Sequence, residues 1–88
     1  MTAAENTALM RRYYDDLNAG RLLETLGAYI ADDLVAHSGD PARRSGLAGW
    51  RHTLVRALAA MPDQQLILTH LVAEGDLVVA HGRRIAHW

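Results

Sequence analysis

Acid–base or ligand chemistry in this chain could be carried by a small number of side chains. Five histidines are present, and an imidazole exchanges its proton near neutral pH. His37 follows the apolar stretch Leu34-Val35-Ala36 and precedes Ser38-Gly39-Asp40-Pro41, which sets an imidazole at the edge of a pocket, in reach of general-base work. His70 and His81 fall on the two arms of an expected hairpin. In one register they face each other and could bind a substrate oxygen or a metal; the plainer reading is a pair of half-buried or interface histidines. Two imidazoles without a third histidine or a carboxylate make a poor metal site, and no H-E-x-x-H occurs, so no metal is expected. His52, beside Arg51, reads as solvated. Tyr13 and Tyr14 offer hydroxyls that could donate to a developing enolate oxygen. Adjacent helical positions lie about 100° apart, so only one of the two points fully inward. Trp50, Leu54 and Leu58 share a stripe that could line an apolar pocket; core packing explains the two leucines equally well.

These groups need elements to hold them. Thr2 and Glu5 match a capping box, and Leu9, Met10, Tyr13, Tyr14 and Leu17 recur at helical spacing, so a helix is predicted from about Ala3 to Ala19 with Gly20 as its left-handed terminator. A second helix is expected from Arg21 to about Tyr29, then a short strand over Asp33–His37. A third helix is predicted with Ser45 as cap. Its apolar stripe is Leu47, Trp50, Leu54, Ala57, Leu58 and Met61, with Arg51 and Arg56 on the other side, and Pro62 ends it. The remainder reads as a hairpin, Gln64–Glu74 and Leu77 to about Trp88, around a Gly75-Asp76 type II′ turn. Counting outward sets Glu74 against Leu77, Val72 against Val79, His70 against His81 and Leu68 against Arg83. Both faces are then partly apolar and both need cover, one by helices and the other by a second copy of the chain. The strand pattern is still running at Trp88, which predicts an incomplete sheet.

Composition removes whole classes of function. The chain has 88 residues, enough for one domain over 1–88, half of them apolar and 22% charged, with a formal net charge of −1. It has no cysteine, hence no disulfide, thiolate site or thiol nucleophile. All nine basic residues are arginine, which excludes Schiff-base chemistry and a phosphate-loop lysine. The pairs Arg11-Arg12, Arg43-Arg44 and Arg83-Arg84 are scattered and offset by acids, so no nucleic-acid face is expected. The longest nearly apolar run, Leu66 to Ala73, is far short of the roughly 20 residues of a membrane span. No signal-peptide hydrophobic region precedes Asp15, and a cytoplasmic protein is expected. Asp15-Asp16 and Asp32-Asp33 read as surface charges.

The order of these segments resembles the start of the SnoaL-like polyketide cyclase (ester cyclase) family of the NTF2-like superfamily. The resemblance is carried by Ala8-Leu9-Met10-Arg11-Arg12-Tyr13-Tyr14-Asp15-Asp16-Leu17-Asn18-Ala19-Gly20, by Tyr29-Ile30-Ala31-Asp32-Asp33-Leu34-Val35-Ala36-His37, by Gly46-Leu47-Ala48-Gly49-Trp50, by Ala60-Met61-Pro62-Asp63 and by Leu71-Val72-Ala73-Glu74-Gly75-Asp76-Leu77-Val78-Val79-Ala80. It implies an α+β fold, three N-terminal helices on a curved antiparallel sheet that forms a cone-shaped pocket, with the closing strands lacking. It also implies binding of a small apolar molecule and, in some members, cofactor-free ring closure of the aldol type. The aspartate such cyclases carry on their closing strands maps to no position here. On this reading the catalytic candidates are His37, His81 and Tyr14, and the ligand-binding candidates are Tyr13, Trp50, Leu54, Leu58 and His70. No cofactor is expected, and a homodimer is. The alternative expectation is a catalytically inert module that dimerises through its sheet.

Overall fold

A computed structural model describes residues 2–37 and 46–87. The expected loop 38–41, the Ser45 cap and Trp88 lie outside the described residues. Helix α1 spans Ala3–Asn18. Its capping box forms as the sequence implies: Thr2 Oγ1 accepts from the Glu5 amide at 3.1 Å, and Glu5 Oε1 accepts from the Thr2 amide at 3.0 Å. Past its end, the amide of Gly20 donates to Leu17 O at 3.1 Å and that of Arg21 to Asp16 O at 2.8 Å, the bond pair of a Schellman turn.

The second helix is shorter than the sequence suggests. Helix α2 covers Leu22–Thr25 and passes into a 3₁₀ turn at Leu26–Ala28. The amides of Tyr29 and Ile30 both donate to Leu26 O, at 3.0 and 3.1 Å, which ends the helical ladder there. The strand expected over Asp33–His37 is not formed either. The carbonyls of Asp32 and Leu34 accept from the amides of Leu47 and Gly46, at 3.3 and 2.6 Å, so they serve the start of the third helix rather than a sheet ladder. Gly46 is required at that junction. Its φ is +85°, and an added Cβ would lie 3.0 Å from Asp32 O.

Helix α3 runs Gly46–Ala60, and its half-buried residues reproduce the predicted stripe from Leu47 to Leu58. Gln64, buried at the following turn, satisfies its end by donating from Nε2 to the carbonyls of Ala57 and Met61, each at 3.3 Å. The core lies among the helices. Leu22 and Leu26 are fully buried, Tyr13 and Leu17 nearly so, and Ile30, Leu47, Leu54, Leu58 and Leu66 pack around them.

Strands β1, Gln65–Glu74, and β2, Leu77–Ile85, form an antiparallel hairpin. The two-residue turn is as expected: Glu74 pairs with Leu77, Gly75 has φ +59°, and Asp76 keeps a negative φ, the sign pattern of type II′. The register holds through His70–His81 and then slips. Thr69 is an extra, unpaired residue, so Leu68 pairs with Gly82 rather than Arg83. This bulge re-sorts the faces. Leu66 and Leu68 now share the helix side with Leu71, Ala73, Val78 and Arg84, while Ile67, His70, Val72, Leu77, Val79, His81, Arg83 and Ile85 stand on the outer side. Gly82 sits where a Cβ would lie 2.4 Å from the backbone oxygen of Ile67, so the slipped register needs glycine there. Asn18 ties α1 to β1. Its Nδ2 donates to Leu66 O at 2.9 Å and its Oδ1 accepts from the Leu66 amide at 2.8 Å, as a neighbouring strand would.

Candidate ligand cavity between the first and third helices

A cavity of about 200 Å³ opens between α1, α3 and the start of the sheet. A dry cavity of roughly 150 Å³ accepts benzene, so this space suits a molecule of one or two small rings. Its walls are Leu17, Leu54 and Ala57; its polar groups belong to Tyr13, Tyr14, Trp50, Thr53, Gln64 and Arg84. The tyrosines arrive on successive positions of α1. Tyr13 turns inward and is nearly buried, and Tyr14 lies across it edge-to-face, with ring centres 5.1 Å apart. Tyr29 closes on the other edge of Tyr13 at 5.7 Å.

The Trp50 indole Nε1–H donates to the Tyr13 hydroxyl oxygen at 3.0 Å. That oxygen is thereby used as an acceptor, and the Tyr13 proton has no acceptor among the described residues. Burial pushes the Tyr13 hydroxyl above its ordinary value, against the smaller opposing effect of the Trp50 bond, and burial does the same to Tyr14. Both remain protonated donors at neutral pH.

Four of the predicted residues meet here: Tyr13, Tyr14, Trp50 and Leu54 line the cavity. Leu58 packs in the adjoining core. His37 is exposed and is not among the lining residues. His70 and His81 pair as expected, with ring centres 5.7 Å apart, but on the exposed outer face of the hairpin, turned away from the cavity. The Thr69 hydroxyl donates to His81 O at 2.9 Å and, its one proton being used, accepts from His81 Nδ1–H at 2.8 Å. His87 reaches back to the turn before β1. Its Nδ1 lies 2.6 Å from Asp63 Oδ2, and this bond holds the Asp63 carboxyl below its usual range.

Sequence reasoning missed Thr53, Gln64 and Arg84 as lining residues. It also took Asp16 for a surface charge. Asp16 is buried and accepts from Tyr29 Oη at 2.5 Å, Thr25 Oγ1 at 2.8 Å and Arg21 Nη2 at 3.1 Å. These bonds, led by that from Tyr29, lower its pKa. Position 16 lies three after Tyr13 and one before Leu17, on the inward stripe, and that spacing was the available signal.

Among the described residues no group of three or more histidine, aspartate or glutamate side chains could hold a metal ion. No described helix is long and apolar enough to cross a membrane. No protein of curated function matches the chain. Among solved structures, the chain is similar to a SnoaL-like polyketide cyclase from Agrobacterium tumefaciens str. C58, with 28% identity and a TM-score of 0.72. The match covers 89% of this chain and 57% of that one, so this chain spans little more than half its length. The α+β arrangement is accordingly NTF2-like, with a two-stranded sheet among the described residues. The model of the SnoaL-like domain matches residues 10–87, and the chain belongs to the SnoaL-like domain family.

Proposed function

We propose that the chain binds a small apolar molecule in the α1–α3 cavity and that its tyrosines supply the electrophilic half of a cofactor-free cyclase- or isomerase-type reaction. The observation that carries this reading is the Trp50–Tyr13 hydrogen bond at 3.0 Å. It fixes the Tyr13 oxygen and leaves the hydroxyl proton for a ligand carbonyl, whose oxygen gains negative charge when a neighbouring carbon is deprotonated. Tyr14 offers a second donor in the same space. None of the nine described lining residues is a carboxylate or an imidazole, so what these residues contribute is binding and polarisation. The base of this reading is not among the described lining residues: His37 is exposed outside the lining, and His70 and His81 occupy the outer face. The reading takes the protein to be cytoplasmic.

Thermal unfolding with a panel of compact aromatic ketones and esters tests the proposal. A ligand at 100 times its Kd stabilises by about 2.7 kcal/mol. The expected result is a concentration-dependent rise in Tm that Leu54→Arg abolishes. A panel that leaves Tm unmoved at millimolar concentration contradicts it.

A second reading concerns assembly. Val72, Leu77 and Val79 are 60%, 69% and 64% exposed on the outer face. Glu74 lies toward the turn end of that face and Arg83 toward the far end. A second copy stacked face to face about a two-fold axis would cover the valines and set each Glu74 against the other copy's Arg83. A homodimer through this face is the proposed assembly.

A further inference from the structure

The charge of the cavity is one-sided. Among the described lining residues Arg84 alone is charged, and no acid accompanies it there. The described ion pairs are Arg21–Asp16 and His87–Asp63, and Arg84 has no carboxylate partner among the described residues. Its place follows from the unbroken alternation of β2, which puts Arg84 on the helix side with Val78 and Arg83 on the outer side with Val79 and His81; the extra residue Thr69 in β1 brings Leu66 opposite Arg84 and Ile67 opposite Arg83. The Arg84 charge also acts on the Tyr13 and Tyr14 hydroxyls, opposing the upward push of burial.

We propose that the ligand is a compact ring-bearing carboxylate, its anionic group held by the Arg84 guanidinium with the Tyr13 and Tyr14 hydroxyls and its ring seated against Leu17, Leu54 and Ala57. The inference rests on the α1–α3 cavity being the binding site. A guanidinium is a planar fork of N–H donors that matches the two oxygens of a carboxylate, and such charge-assisted bonds are about twice as strong as neutral ones. The two hydroxyls add neutral donors in the same cavity. One cation answers one negative charge, which favours a monoanion over a phosphate dianion. The apolar walls demand that the rest of the molecule be hydrophobic.

The test compares benzoate, methyl benzoate and benzamide, three molecules with one ring in common, by titration into the ¹⁵N-labelled full chain while following the Trp50 indole N–H. At low salt and neutral pH benzoate is expected to bind about tenfold more tightly than its ester or amide. The advantage should shrink in 0.5 M salt because Arg84 is exposed. Arg84→Gln should remove the preference, Arg84→Lys should restore part of it, and Arg83→Gln should keep it whole. Circular dichroism of each variant confirms the fold. Equal binding of benzoate and its ester, or a preference that survives Arg84→Gln, overturns the inference while the cavity stands. No response of Trp50 to any of the three overturns both.

Discussion

Tyr13 does two things at once: its ring sits in the core and its oxygen accepts the Trp50 indole N–H. Tyr13→Phe keeps the ring and removes the oxygen. A net hydrogen bond contributes about 1 kcal/mol to stability, so a loss of that order is expected in chemical denaturation, together with about tenfold weaker ligand binding. Asp16 is the other residue whose role is decided by its partners. Its carboxyl is lowered by bonds from Tyr29, Thr25 and Arg21. A group lowered in the folded state contributes stability that is present above the unfolded value and lost as pH falls through the folded one. Asp16→Asn should therefore be less stable than the parent at pH 7, with a flatter stability profile from about pH 5 downward; equilibrium unfolding across that range reads both. The tyrosines, Trp50 and Leu54 were legible from helical spacing alone. Arg84 was not, because alternation alone does not say which face of the hairpin meets the helices, and the extra residue Thr69 moves Leu66 and Leu68 onto the side of Arg84.

At the scale of elements, α1, α3 and the turn residue Gly75 follow from local chemistry: a capping box, an apolar stripe and a glycine with positive φ. The failures are where tertiary partners took over. The Asp33–His37 segment carries the apolar run Leu34-Val35-Ala36, yet the carbonyls of Asp32 and Leu34 are engaged by the first residues of α3. The hairpin is anchored by Asn18, whose amide gives Leu66 both a donor and an acceptor. Asn18→Ala removes both bonds and leaves the Leu66 backbone facing the helix without them. A loss of about 1–3 kcal/mol is expected, with amide exchange at Leu66 and Leu68 accelerating before that of the helices.

For the whole molecule, the helices supply the dense core and the hairpin supplies a wall whose outer side is apolar and exposed. Under the proposed assembly a second copy covers that outer side. Sedimentation at tens of micromolar should show a dimer that Val79→Glu converts to monomer without loss of helical signal. A parent chain that stays monomeric there removes the assembly reading and leaves the cavity intact.

The most direct test of the cavity is the Trp50 indole N–H resonance, assigned by its disappearance in Trp50→Phe, during titration with a compact aromatic ketone. The expected result is a saturable shift of that resonance, with Tyr13→Phe weakening it and the His70 and His81 signals unmoved. Saturable binding that leaves the Trp50 resonance in place, or that moves His70 and His81 instead, would contradict a ligand site between α1 and α3.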